Sequence, residues 1–193
     1  MKAVEILPEG YREIYAVDLQ KNTKIAVLVN GLAIVIAALL IVPMCFAVPL
    51  HTIFRAGEGM TGILVKYGVM LGALIAYMVL HELVHGIAMK LCGTKKVKYG
   101  FTGMYAFAGS EDFYDRKAYI FIALAPVVLW GIVLAVINPL VPVDWLWIVY
   151  FIQICNLSGA AGDLFVTVRF LRLPRDILIR DYGVGMRVYS KEL

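Results

Sequence analysis

Four long apolar runs along the 193-residue chain predict four transmembrane helices. They cover residues 25–50, 63–92, 118–137 and 145–171, and each reaches the roughly 20 residues that a membrane-crossing helix needs. Residues 1–24 before the first run and 172–193 after the last are polar and mixed. We therefore expect residues 1–193 to form a single membrane domain of the all-α integral membrane class, with a short segment and a tail outside the bilayer.

Alternation of polar and apolar residues between the second and third runs predicts a small amount of β-structure. Residues 96–102 alternate, and alternation returns from Tyr105 to Phe107 after Gly103, which predicts a short β-hairpin at the cytoplasmic surface. Residues 3–7, residues 11–17 and the last residues of the tail could add short strands. Gly93 follows the second run at the place where a helix C-cap is expected.

The composition excludes an ordinary soluble domain. Apolar residues make up 62% of the chain and charged residues only 17%, and the mean hydropathy is +0.82. Cys45, Cys92 and Cys155 lack paired spacing, so we interpret them as small core residues and not as disulfide partners or zinc ligands. The net charge of +4 comes from basic residues beside apolar runs, so the expected partner is the lipid bilayer and not nucleic acid.

The distribution of Lys and Arg predicts the orientation. Four lie in the N-terminal segment, six lie between the second and third runs when Lys90 at the end of the second run is included, and six lie in the tail when Arg169 at the end of the fourth run is included. Only Arg55 and Lys66 lie toward the opposite side. Because cytoplasmic loops carry the excess of Lys and Arg, we expect both termini to be cytoplasmic.

The second run carries the sequence His81-Glu82-Leu-Val-His85 near its C-terminal end. In a helix the two histidines lie one turn apart on the same face, with Glu82 beside them. This is the H-E-x-x-H pattern, in which the histidines bind Zn²⁺ and the glutamate is a general base. Polar and ionisable groups are costly inside a membrane helix, which strengthens the functional interpretation.

A catalytic zinc site needs a third protein ligand, and two residues are candidates. Asp163 lies in the fourth run about six residues before Arg169, at a depth similar to that of the histidines. Glu111, in the segment after the second run, is the alternative, but that segment would have to fold back into the membrane layer. Depth favours Asp163, although pairing of Asp163 with Arg169 would be a purely structural alternative.

Asn156 precedes Asp163 by two helical turns and lies on nearly the same face. It could donate a hydrogen bond to a substrate carbonyl or developing oxyanion, or form an interhelical bond with no catalytic role. The run Ser158-Gly-Ala-Ala-Gly162 between them has little side-chain bulk. Such a run allows close helix packing, and it also allows a departure from helix geometry where the backbone lines a cavity.

These motifs resemble those of the site-2-protease-like intramembrane zinc metalloproteases, and in particular their small zincin-peptidase members. The resemblance rests on His81-Glu82-x-x-His85, on Ala123-Leu-Ala-Pro126, and on the span from Asn156 to Asp163. It implies zinc ligation by both histidines and Asp163, with Glu82 as the base and Asn156 contacting the substrate.

The expected function is that of a zinc-dependent membrane-embedded endopeptidase, which hydrolyses membrane-protein or peptide substrates near the cytoplasmic face. The alternative is a zinc-binding membrane protein without proteolytic activity, such as a sensor, a transporter or a silent relative of the proteases. Glu82 argues against the alternative, because a structural zinc site needs no base beside its ligands.

Overall fold

The computed structural model describes residues 3–18, 22–53, 59–103, 106–183 and 185–192. Within these residues, four segments are long and apolar enough to cross a membrane, which confirms the expected number. Some residues used in the sequence predictions lie outside the described ranges, namely Lys2, Lys21, Arg55 and Tyr105.

The four membrane segments are built from five α-helices: α1 Thr23–Ala47, α2 Gly59–Leu91, α3 Arg116–Ile137, α4 Val143–Gly159 and α5 Ala161–Leu171. Short 3-10 turns at Leu50–Ile53 and Asn138–Leu140 follow α1 and α3. The main difference from the sequence expectation is in the fourth apolar run, which is not one helix. It breaks at Ala160, inside the run of small residues.

Local sequence explains where the helices begin and end. The Asn22 side chain accepts a hydrogen bond from the backbone of Ile25 at the start of α1, and Asp115 does the same for Ala118 at the start of α3. After α2, Gly93 has φ +104°, which a glycine adopts without strain, and this confirms the predicted C-cap.

The side chains of α1 are mainly directed away from the rest of the protein. The helix has no buried residue, and Phe46 is 87% exposed, as expected for a helix that faces lipid. Lys66 lies within α2 and is buried, and its ammonium donates to the carbonyl of Ile53 at 3.3 Å. Lys66, which the distribution of Lys and Arg predicts to lie in a loop on the opposite side, is therefore part of α2.

Two β-structures lie outside the helices. The strands are β1 Ala3–Val4, β2 Arg12–Asp18, β3 Lys98–Phe101, β4 Ala106–Gly109, β5 Phe113–Asp115, β6 Leu178–Asp181 and β7 Gly185–Ser190. Strands β3 and β4 form the predicted hairpin, with Lys98 opposite Gly109. The other five form an antiparallel sheet in the order β1-β5-β6-β7-β2.

The expected class, all-α with one hairpin, is therefore right for the helices and incomplete for the β-structure. The alternation in residues 11–17 predicts a strand, and the structure has strand β2 there. Its partner β7 lies at the other end of the chain, with Arg12 opposite Ser190. Pairing over such a separation leaves no local sequence signal, because a short strand is stabilised by its neighbours in the sheet.

One face of the five-stranded sheet packs against the helix ends nearest the H-E-x-x-H motif. Tyr114, Ile179 and Val188 from three adjacent strands are fully buried there, together with Met89 of α2 and Phe170 of α5. Each such side chain contributes about 1.5–3 kcal/mol of burial free energy. The first strand is also bonded to the residue that follows α2, since the backbone of Ala3 donates to the carbonyl of Cys92 at 2.8 Å. The sheet therefore fixes this end of the helix bundle.

Candidate metal centre

The two histidines of α2 lie together on the face that points toward α3, α4 and α5. Their ring centroids are 4.9 Å apart. The Nδ1 atom of His85 lies 2.9 Å from the carbonyl oxygen of Ile122 in α3. Because a carbonyl can only accept, Nδ1 of His85 carries the proton, and its Nε2 atom is free to bind a metal. The Nδ1 atom of His81 lies 2.8 Å from the hydroxyl of Tyr77.

Asp163 reaches the histidines because the fourth membrane segment breaks at Ala160. The new helix α5 begins at Ala161 and has Asp163 in its first turn, where the helix dipole favours a carboxylate. The Oδ2 atom of Asp163 lies 3.8 Å from Nε2 of His81 and 3.7 Å from Nε2 of His85.

The other candidate third ligand, Glu111, and the other candidate partner of Asp163, Arg169, both lie in different surroundings. Glu111 is largely exposed and pairs with Lys98 at 2.7 Å and with Arg180, beside the hairpin and the sheet. The guanidinium of Arg169 lies 4.8 Å from the ring centroid of Tyr15 in β2, while Asp163 is directed at the histidines. The structure thus brings Asp163 to His81 and His85.

The geometry and chemistry of these three side chains fit a zinc ion. Each offers one ligand atom, and these atoms all lie within 4.8 Å of one another. The separations of 3.7 and 3.8 Å are too long for hydrogen bonds. Tetrahedral zinc with bonds of about 2.0–2.2 Å places its ligand atoms roughly 3.3–3.5 Å apart, so small movements would complete the coordination. Two imidazoles and one carboxylate are also a ligand set that zinc enzymes use.

A cavity of about 190 Å³ opens directly on these residues. Glu82 lines it together with the three candidate ligands, and Ala108 of β4 lines the same cavity. Small residues at the break in the fourth segment form another wall, including Gly159 and Gly162. The cavity therefore joins the hydrophobic helices to the hairpin, with the candidate base next to the candidate ligands.

Asn156 does not line this cavity, although the sequence left it a possible contact with substrate. It is completely buried, and its Nδ2 atom donates to the carbonyl of Val127 at 3.1 Å. Its Oδ1 atom accepts from the hydroxyl of Tyr77 at 3.0 Å. These bonds connect α4 with α3 and α2, which corresponds to the interhelical alternative.

Asp181 of β6 lines the same cavity and was not identified from the sequence. Its Oδ2 atom accepts from the hydroxyl of Tyr119, and its Oδ1 atom accepts from the backbone of Gly183, both at 2.7 Å. Burial raises the pKa of this carboxyl, although the hydrogen bond from Tyr119 opposes the shift. In sequence Asp181 appears as one of several charged residues in a polar tail, so only the sheet reveals its position.

Comparison with known proteins finds a relative that matches part of the chain. A protein of Pyrococcus woesei, named "Uncharacterized 24.7 kDa protein in gap 5'region", is 28% identical over 124 residues. The match covers 59% of this chain and 51% of that protein, so the chain spans about half the length of its relative. No solved structure matches the chain.

The model of one protein family, described as "Putative zincin peptidase", matches residues 74–178, which is more than half of the chain. The matched region contains the H-E-x-x-H motif, the cavity's small-residue wall and Asp163. The chain therefore belongs to this zincin peptidase family.

Proposed function

We propose that the protein is a membrane-embedded, zinc-dependent endopeptidase of the site-2-protease-like type. The observation that supports this most directly is the meeting of His81, His85 and Asp163 beside Glu82 in one cavity. Family membership supports a zinc peptidase, and the four apolar helices support a membrane protein. The position of the histidines within α2 and of Asp163 at the start of α5 supports an intramembrane site.

In this proposal His81, His85 and Asp163 hold the zinc. When bound, zinc lowers the pKa of a coordinated water toward neutrality and polarises a carbonyl group. Glu82 accepts a proton from the attacking water and delivers it to the leaving amine, as the peptide C–N bond breaks and a new C–O bond forms.

The substrate in this proposal is a segment of a membrane protein, or a peptide, that enters in an extended conformation. An extended conformation is needed because a helix shields its own amides. Strand β4 pairs with β3 alone among the described strands, and Ala106, Phe107 and Ala108 line the cavity. An unwound substrate could add to β4 as a further strand, which would present its backbone to Glu82.

Glu82→Gln tests the function. The amide keeps the size of the side chain but cannot accept the proton, so we expect zinc content to be unchanged and cleavage of a model membrane substrate to fall about 100-fold or more. Zinc is measured by elemental analysis of the purified protein, and cleavage is measured by mass spectrometry of the products. If the variant cleaves at the wild-type rate, the cleavage does not depend on Glu82 and the proposed mechanism is wrong. If the wild type binds zinc but does not cleave, the non-proteolytic zinc-binding alternative replaces the proposal.

A further inference from the structure

A chain of hydrogen bonds leads from the backbone of α3 to the first histidine of the motif. It begins at the carbonyl of Val127, passes through the Asn156 amide of α4 and the Tyr77 hydroxyl of α2, and ends at Nδ1 of His81. The three distances are 3.1, 3.0 and 2.8 Å. We call these four groups the Val127 relay.

The direction of each bond in the Val127 relay follows from the first one. The Val127 carbonyl can only accept, so the Asn156 atom facing it is the amide nitrogen. The amide oxygen of Asn156 then faces Tyr77, and this oxygen can only accept the single hydroxyl proton. With its proton used, Tyr77 can only accept from His81, so Nδ1 of His81 must carry a proton.

This assignment leaves the lone pair of His81 on Nε2, the atom that faces Asp163. His85 reaches the same state by one direct bond to the Ile122 carbonyl. Both histidines are thus held in the tautomer that binds metal through Nε2, one by a backbone carbonyl directly and one through two side chains.

We propose that Tyr77 and Asn156 are positioning residues that fix the tautomer and ring orientation of His81 and so set the zinc affinity of the centre. The inference rests on the proposed zinc-binding function. The edge contact between the Tyr77 and His81 rings, with centroids 5.6 Å apart, adds to the orientation. Tyr77 is 8% exposed and Asn156 is fully buried, so water cannot readily replace either partner.

Removal of either side chain has a distinct consequence. Tyr77→Phe leaves Nδ1 of His81 without its acceptor, so we expect zinc affinity to fall about 10–100-fold. Asn156→Leu frees the Tyr77 proton, which can then be donated to Nδ1 of His81 and place the histidine proton on Nε2. We expect a loss of similar size, and no further loss when Asn156→Leu is added to Tyr77→Phe, because Asn156 acts only through the hydroxyl.

The control is Tyr150→Phe. Tyr150 also lies in a membrane helix, and its hydroxyl donates to the carbonyl of Leu40 in α1 at 3.0 Å, without contact to the motif. We expect its thermal stability to change about as much as that of Tyr77→Phe, with zinc affinity unchanged. Zinc affinity is measured by competition with a chromophoric chelator in detergent solution.

The tautomer can also be observed without metal. The chain has three histidines, so ¹⁵N-histidine labelling gives few ring signals in the nuclear magnetic resonance spectrum. We expect His81 and His85 both to show a protonated Nδ1 in the wild type, and only His81 to change in Asn156→Leu. His85 serves as the internal reference for an intact fold.

Two results would overturn the inference. One is zinc affinity within twofold of wild type in Tyr77→Phe, and the other is an unchanged His81 tautomer in Asn156→Leu. If the wild type itself binds no zinc, the proposed function fails instead, and the tautomer measurement still decides whether the Val127 relay controls His81.

Discussion

At the scale of single residues, the third ligand of the candidate metal centre could come from either of two places in the chain. In one design a loop glutamate folds back to the histidines, and in the other an aspartate approaches from a membrane helix. The structure places Oδ2 of Asp163 within 3.8 Å of both Nε2 atoms and places Glu111 in an exposed network with Lys98. A ligand role for Asp163 is thus part of our proposal, and it can be tested separately from catalysis.

Asp163→Asn should lose zinc, while Glu111→Gln should retain it. An amide is a weaker metal ligand than a carboxylate, and it leaves the centre with one negative charge fewer. We expect the loss of affinity to exceed the roughly 10–100-fold that follows removal of an outer-shell partner. Glu111→Gln removes only exposed ion pairs, which contribute about 0–1 kcal/mol each.

Zinc content after dialysis and chelator competition would measure both variants, and Glu111→Gln is the control for loss of a carboxylate. Zinc retained by Asp163→Asn but lost from Glu111→Gln would assign the third ligand to Glu111.

The residues of the centre differ in how far sequence could identify them. The spacing of His81, Glu82 and His85 is local, so helix periodicity alone predicts that they meet. Asp163 required a comparison of depths between two helices. Tyr77 and Asp181 left no signal, because one resembles an ordinary membrane tyrosine and the other lies in a strand whose neighbours come from distant segments.

At the scale of elements, the hairpin and the β6–β7 turn meet over the cavity. Gly183 in this turn has φ +87°, and a Cβ atom added there would lie 2.0 Å from Cδ2 of Phe107. Phe107 of β4 lines the cavity. The glycine therefore allows the hairpin to approach the sheet closely enough to form one wall of the site.

Gly183→Ala should destabilise the protein and reduce cleavage. Backbone strain at a positive φ costs about 1–3 kcal/mol, and the displaced Phe107 would change the cavity wall. Gly103→Ala is a matched control, because Gly103 has φ +90° but nothing within 4 Å of the added Cβ. Thermal unfolding in detergent and the cleavage rate of each variant would be measured. Equal cleavage rates in the two variants would show that the contact of Phe107 with the turn does not shape the site.

At the scale of the whole molecule, the five-stranded sheet constrains the membrane topology. Its strands come from the N-terminal segment, from the segment between α2 and α3, and from the tail. Strands joined by hydrogen bonds must lie on the same side of the bilayer. The number of membrane segments predicted from sequence agrees with this requirement, since two membrane segments separate each sheet-forming segment from the next.

Because the sheet holds these three segments on one side of the membrane, a reagent that cannot cross the membrane should label cysteines in all three segments from the same side. In a background with Cys45, Cys92 and Cys155 replaced by serine, single cysteines would be introduced as Glu9→Cys, Lys95→Cys and Glu192→Cys, all at exposed positions. Leu140→Cys, 76% exposed in the turn after α3, reports the opposite side.

The excess of Lys and Arg in the three sheet-forming segments predicts that their side is the cytoplasm. A membrane-impermeant maleimide should therefore label Leu140→Cys in intact cells and the other three variants only in inverted vesicles. Labelling of all three in intact cells would reverse the orientation but keep the sheet, whereas labelling of one of the three from the opposite side would contradict the sheet itself. Because the cavity lies between the helices and this sheet, the same experiment shows from which side water and substrate reach Glu82.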